Sequence, residues 1–373
     1  MNIERVIISG GGTGGHIFPA LAIAGEIRSR FPDSEVLFVG AADRMEMEKV
    51  PAAGYRIIGL PVIGFPRKKG INMLKFVVRL LRSYRMALKI IVQFRPQIAI
   101  GVGGFASGPL LRAAGKKGIP CLIQEQNSFA GITNKLLGKN AEAVCVAFEG
   151  MEKYFPADKI IITGNPVRKD LIGDPVNKEE ATGFFGIREG KKVILIMGGS
   201  LGARSLNDAV MKNLDRIADS GIEFLWQTGS LYYKDIISGL EDKKPANLYI
   251  LEFISRMDMA YALADVVVSR AGAGAIAELS VVGKPVILVP SPNVAEDHQT
   301  RNAMTLVEKS AALMISDSEA DNKLIPEALR LIDAPEEQKK MSEKIRTLAR
   351  PDATRHIVDE AEKILKKWKA LKT

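Results

Sequence analysis

The residues best placed to do chemistry lie between Val6 and Pro19, in VIISGGGTGGHIFP. Four β-prone residues, Val6 to Ser9, run into five glycines within six positions and then into His16. Glycines let the main chain approach a ligand without a Cβ in the way, and the free N–H groups at the start of a helix favour an anion. The spacing predicts a buried strand, a phosphate-accepting turn, and a helical pattern that opens at Pro19 and continues through Leu21, Ala22, Ile23, Ala24 and Ile27. His16 stands at the mouth of this turn, where an imidazole can take a proton from a substrate hydroxyl near neutral pH. Two other readings stay open. One is a tight turn with no ligand. The other is a nicotinamide or flavin enzyme, because Gly10, Gly12 and Gly15 satisfy the dinucleotide fingerprint.

The elements that must position these residues are legible as alternating strands and helices. Strand-like runs occur in the first half at Val6–Ser9, Glu35–Val39, Tyr55–Leu60, Ile98–Val102, Pro120–Gln124 and Ala143–Ala147. In the second half they occur at Lys192–Met197, Glu223–Gln227, Leu248–Leu251, Val266–Ser269 and Val286–Val289. Continuous β-branched runs separated by helical patterns predict two α/β, Rossmann-like domains with parallel sheets, facing across a cleft. Glycine-rich loops follow strands at Gly10–Gly15 and Gly101–Gly108, and again at Gly198–Gly202 and Gly272–Gly274. Ligands of open parallel sheets bind beyond the carboxyl ends of strands, so these four loops suit a nucleotide on one side and a second substrate on the other. A linker is expected near Gly164–Pro175, giving domains of 1–164 and 165–350. A C-terminal helix over 351–373 is expected to pack back towards the first domain.

At 373 residues, 47% hydrophobic and 25% charged, the chain is long enough for two buried cores. Its two cysteines, Cys121 and Cys145, lie in apolar runs without CxxC spacing. They read as buried thiols of a reducing compartment, with neither a disulfide framework nor a metal site. Met1 leads almost at once into a strand, leaving no room for a signal peptide, and no apolar run approaches the ~20 residues that span a bilayer. A cytoplasmic protein is expected.

The net charge of +9 is unevenly spread. No aspartate or glutamate occurs between Pro51 and Gln124, a segment that carries thirteen lysines and arginines. Within it, Ile71 to Phe94 reads as a helix with Lys75, Arg79, Arg82 and Lys89 on a narrow arc beside Leu74, Val77, Val78 and Leu81. The loop Ile63–Lys69 precedes it. Apolar insertion beside cations holds peripheral proteins on anionic membranes, so residues 63–95 are expected to contact such a surface. The alternative is an apolar face that is simply core. No nucleic-acid motif is present, and nucleic acid is not expected as a partner.

Eight motifs together identify the chain as similar to the MurG family of bacterial glycosyltransferases, over nearly its whole length. They are GGTGGHIFPA (11–20), ADRMEMEKVP (42–51), GVGGFASGP (101–109), QEQNSFAGITNK (124–135), GNPVRKD (164–170), GGSLGARSLN (198–207), EFISRMDMAYALADVVVSRAGAGAIAE (252–278) and DHQTRNA (297–303). The resemblance implies a GT-B fold and inverting transfer of N-acetylglucosamine from UDP-N-acetylglucosamine. The acceptor is the C4 hydroxyl of undecaprenyl-pyrophosphoryl-muramyl-pentapeptide, on the cytoplasmic face of the inner membrane. It implies no cofactor and no required metal. Contacts of the basic segment with other envelope-synthesis proteins stay open beside the membrane.

For the base, the acceptor hydroxyl calls for His16 first, with Glu125 as the alternative if burial raises its pKa. The resemblance places Thr13, Gly14 and Gly15 near the sugar and diphosphate, and Asn127 on the sugar hydroxyls. It places Arg168 and Ser200 at the phosphates, Ile254 at the uracil, Glu278 at the ribose and Gln299 at the sugar. Arg270 and Ala273, in the loop after the fourth strand of the second half, would face the leaving diphosphate together with backbone amides. The chain departs from the family pattern at Phe105, where tyrosine is common, and at Leu201, Ala271, Ala275 and His298. Side-chain contacts at those positions change while backbone contacts survive. Three rival functions can be read from the same residues. An epimerase or glycolipid synthase would need a different acceptor side, and an oxidoreductase would want an acidic residue at the end of the second strand. A non-catalytic membrane scaffold would not need His16, Glu125, Asn127 and Glu278 together.

Overall fold

The computed structural model describes residues 3–64, 71–174, 176–240 and 243–370. The chain divides into two compact units, Met1–Val167 with Arg350–Thr373, and Arg168–Ala349. The first holds strands β1 (Arg5–Gly10), β2 (Glu35–Ala41), β3 (Arg56–Leu60), β4 (Ile98–Gly103), β5 (Cys121–Glu125), β6 (Ala143–Val146) and β7 (Ile160–Ile162). The second holds β8 (Val193–Met197), β9 (Glu223–Gln227), β10 (Leu248–Leu251), β11 (Val266–Ser269), β12 (Val286–Leu288) and β13 (Leu313–Met314). Every strand pair is parallel, in the orders β3-β2-β1-β4-β5-β6-β7 and β10-β9-β8-β11-β12-β13. In each sheet the order reverses beside the first strand, between β1 and β4 and between β8 and β11. That is where an open α/β sheet binds ligand, and it is where the four glycine-rich loops fall. The edge strands β7 and β13 go beyond the sequence reading, being only three and two residues long.

Helices of the first unit are α1 (Gly14–Arg30), α2 (Glu46–Ala52), α3 (Ile71–Phe94), α4 (Ser107–Lys116) and α5 (Ile132–Gly138). Those of the second are α6 (Lys178–Phe185), α7 (Arg204–Met211), α8 (Leu214–Asp219), α9 (Tyr233–Leu240), α10 (Met257–Leu263), α11 (Ala273–Val282), α12 (His298–Val307), α13 (Ala320–Ile332) and α14 (Pro335–Arg346). The last helix, α15 (Ala353–Ala370), returns to the first unit. Its Ile357, Val358, Ala361, Ile364 and Leu365 are buried in one cluster with Ala20, Ile23, Ala24 and Ile27 of α1. Arg30 fastens the pair by bonding Asp359 and Glu362.

One expectation changes and one alternative falls. Helix α1 begins at Gly14 rather than Pro19, because the Thr13 carbonyl already accepts from the His16 and Ile17 amides (3.1 and 3.2 Å). Pro19 is tolerated inside because the carbonyl it leaves without a helical partner belongs to solvent-exposed Gly15. Second, the apolar arc of α3 is not core. Leu74, Val77, Val78 and Leu81 are 68%, 42%, 56% and 54% exposed. Among the described side chains of α3, the buried ones lie in its later turns, at Ser83, Ala87, Ile90 and Ile91. The preceding loop, from Phe65 through Lys69, lies outside the described residues. Among the described residues, no helix is long and apolar enough to cross a membrane.

Candidate active site

In the first unit, the turn after β1 places His16 in the opening turn of α1. His16 Nδ1 lies 3.2 Å from the Gly11 carbonyl and 3.2 Å from Thr13 Oγ1. A carbonyl only accepts, so the first of these bonds puts hydrogen on Nδ1, and the neutral ring then carries its lone pair on Nε2. The ring lies against Gly103, at the end of β4. A Cβ built there would sit 2.6 Å from His16 Cδ2, and its φ of +105° is one that side-chain-bearing residues avoid. Two glycine loops far apart in sequence, after β1 and after β4, thus meet around one imidazole.

The residue that shapes this turn was not among those singled out by sequence. Glu46 opens α2 and is fully buried, with its Oε2 accepting from the Gly12 amide and its Oε1 from the Ala41 amide, both at 2.9 Å. It stands in the ADRMEMEKVP motif among four other charged side chains, and only its contacts mark it out. Because this carboxylate already occupies the Gly12 amide, the loop is closed to a dinucleotide phosphate at that donor. This argues against the oxidoreductase reading.

Glu125, the alternative base, is buried and hydrogen-bonded through both oxygens. Its side chain ends β5 in a residue only 2% exposed. One oxygen accepts from Asn127 N and Nδ2 (3.1 and 3.4 Å), the other from Gly131 N and Asn134 Nδ2 (3.0 and 2.9 Å). Four donors engage the two oxygens of this carboxylate, so Glu125 folds the loop that carries Asn127. Asn127 itself is half-buried. The next residue, Gln126, donates to the Val102 carbonyl (2.8 Å), which ties this loop to the strand that ends beside His16.

In the second unit, the loop after β8 leaves Ser200 exposed. The loop after β10 buries Ile254 to 1% exposure. Gly272 caps α11, so Ala273 stands at the helix N-terminus, where backbone amides attract anions. On the same helix, Glu278 Oε1 accepts from Arg168 Nε and Oε2 from the Tyr261 hydroxyl, both at 3.2 Å. Burial pushes the Glu278 carboxyl above its usual range, while Arg168 and Tyr261 pull it back. Tyr261 is wholly buried, and its hydroxyl is pushed well up by burial and by the neighbouring Glu278. Sequence reading missed Tyr261, which looks like one more apolar position of α10. Gln299 Oε1 accepts from the Ser291 amide at 2.8 Å.

Arg270 is braced within its own unit: its guanidinium bonds Asp317, Ser205 and the Val289 and Pro290 carbonyls. These contacts brace the loop after β11 from behind.

Comparison with known proteins decides the family. Residues 6–146 match the glycosyltransferase family 28 N-terminal domain, and residues 193–357 match the glycosyltransferase family 28 C-terminal domain. A relative from Parabacteroides distasonis is 56% identical over 98% of this chain and 100% of its own length. The chain belongs to glycosyltransferase family 28. That relative, and a 54% identical one from Cytophaga hutchinsonii covering 97% of both chains, is named UDP-N-acetylglucosamine--N-acetylmuramyl-(pentapeptide) pyrophosphoryl-undecaprenol N-acetylglucosamine transferase. The crystal structure of Acinetobacter baumannii MurG is similar with a TM-score of 0.78 at 30% identity, over 96% of this chain and 99% of that one. A UDP-GlcNAc 2-epimerase from Neisseria meningitidis bound to UDP-GlcNAc is similar with a TM-score of 0.65 at 14% identity, over 97% and 100% of the chains. That likeness is one of fold alone. This family 28 member therefore has the expected pair of parallel-sheet, Rossmann-like domains, and it is a glycosyltransferase.

Proposed function

We propose that the protein transfers N-acetylglucosamine from UDP-N-acetylglucosamine to the C4 hydroxyl of the muramyl sugar of undecaprenyl-pyrophosphoryl-muramyl-pentapeptide, giving lipid II with inversion at the anomeric carbon. The observation that carries this reading is the full-length likeness, at 56% identity, to a relative named for that transfer. The geometry of each unit supports it. In the first, His16 Nε2 takes the proton from the acceptor hydroxyl as its oxygen bonds the anomeric carbon. The Gly11 carbonyl fixes the tautomer and stabilises the imidazolium that forms. The bond from the anomeric carbon to the diphosphate oxygen breaks, and the electron pair leaves with UDP.

In the second unit, amides of Gly198–Gly202 and of the α11 N-terminus take up the growing charge, with Ser200, Ala273 and Arg168 beside them. Glu278 accepts the ribose hydroxyls, Ile254 flanks the uracil, and Gln299 and Asn127 bond the sugar. Thr13, Gly14 and Gly15 complete the sugar end. The basic, apolar face of α3 docks on an anionic membrane surface, which makes this a peripheral enzyme of the cytoplasmic face of the inner membrane. It is supported by the exposure of Leu74, Val78 and Leu81 beside Lys75, Arg79 and Arg82.

Proton NMR of the isolated product tests the reaction. A β-linked disaccharide formed from the α-linked donor is expected. Transfer with an α linkage contradicts inversion, and no transfer to the lipid-linked muramyl acceptor contradicts the activity.

A further inference from the structure

Gln227 is the last residue of β9, is 4% exposed, and belongs to none of the contacts assigned to the reaction above. Its strand lies between β8 and β10. The loop after β8 is the diphosphate loop and the loop after β10 carries Ile254, so a side chain at this one position can reach sideways to both. It does. Gln227 Nε2 donates to the Gly199 carbonyl at 2.9 Å, and Gln227 Oε1 accepts from the Ile254 amide at 3.1 Å.

Each bond fixes a whole peptide plane. In a trans peptide the N–H points opposite to the C=O. With the Gly199 carbonyl held inward by Gln227, and by the Gly202 amide at 3.0 Å, the Ser200 N–H is turned the other way. With the Ile254 N–H held inward, the Phe253 carbonyl is turned the other way. A donor suited to a phosphate and an acceptor suited to an imide N–H are therefore set by one carboxamide. Few other side chains could do this, because the position requires a donor and an acceptor on the same short planar group. The neighbouring Thr228 adds a second tie, donating its amide to the Leu251 carbonyl at 3.0 Å.

We infer that Gln227 is a positioning residue that locks the diphosphate loop to the base loop, so that the two ends of a uridine diphosphate are recognised at a fixed spacing. This rests on the reading of the second unit as the nucleotide site.

The test uses the full-length protein with two variants, Gln227→Met and Gln227→Glu. Calorimetry with UDP and with uridine is combined with kcat and KM for UDP-N-acetylglucosamine. The Met variant keeps the side-chain length but makes neither bond. UDP is expected to bind it about ten- to a hundredfold more weakly, with a matching rise in donor KM and an unchanged acceptor KM. The Glu variant separates the two bonds. Its carboxylate still accepts from Ile254 but faces the Gly199 carbonyl with lone pairs only, so UDP is weakened while uridine binds nearly as to wild type. Lowering the pH until that carboxyl is protonated gives back a donor. UDP affinity relative to wild type at the same pH then recovers, which a merely destabilised fold would not do.

Wild-type affinity for UDP in the Met variant overturns the inference. So does a Glu variant that loses UDP and uridine in equal proportion at every pH. Failure of the wild type to bind UDP at all instead overturns the nucleotide reading on which the inference rests.

Discussion

Around the first glycine turn two side chains divide the work. In the proposed reaction His16 supplies the lone pair that takes the proton, and Glu46 holds the turn that carries it, through the Gly12 and Ala41 amides. Replacing Glu46 by glutamine leaves one of two buried N–H groups facing an NH2 group. A loss of about 1–3 kcal/mol in urea unfolding is expected, with slower transfer and an unchanged donor KM. Unaltered stability would show that the carboxylate is not needed there.

Glu278 makes a prediction with a pH sign. Burial raises its folded-state pKa above the ordinary 4.5, so the folded chain holds this proton more tightly than the unfolded one. The group's contribution to stability is thus fully present below about that value and is lost as pH rises through the folded pKa. Glu278→Gln should therefore be more stable than wild type at neutral pH, a gain that vanishes in acid, while UDP binding weakens about tenfold or more. Equal stability of the two proteins across the pH range would contradict this. His16, Asn127 and Glu278 stood out in sequence because they lie in distinctive motifs at predicted loops or helix starts. The contacts of Glu125 with Asn134 and of Arg270 with Asp317 were not legible, because sequence cannot place such distant partners.

At the scale of elements, the sequence carried the sheets well. Uninterrupted apolar runs such as VILIM at Val193–Met197 are buried on both faces, as central parallel strands must be. It carried the start of α1 poorly, because proline is a strong helix-opening signal and the glycines before it look like turn. What positions the site is the adjacency of β1 and β4, which brings Gly103 against His16. Gly103→Ala puts a methyl group into the imidazole and strains φ at once, so activity should collapse. Gly12→Ala, with φ of +86° but no atom within 4 Å of the added Cβ, provides the control for strain alone. Circular dichroism separates misfolding from displacement of His16. An active Gly103→Ala enzyme would remove the ring from the position described.

At the scale of the whole molecule, charge and exposure coincide on α3. Lys75, Arg79 and Arg82 alternate with apolar side chains that found no core, and that combination has a use at a lipid surface. Lys75→Glu with Arg79→Glu should weaken sedimentation with anionic vesicles by more than about tenfold, at low salt most of all, leaving transfer to a detergent-solubilised acceptor intact. Vesicle binding equal to wild type would rule out this face. The proposed reaction draws on both units, His16 in the first and the glycine-rich loops after β8 and β11 in the second. The most direct test is the rate of UDP release from UDP-N-acetylglucosamine by wild type and His16→Ala, with and without the lipid-linked muramyl-pentapeptide. Release should depend on the acceptor and fall by on the order of 10²-fold or more in the variant. Acceptor-dependent release at an undiminished rate in His16→Ala would contradict the account of the imidazole as the base.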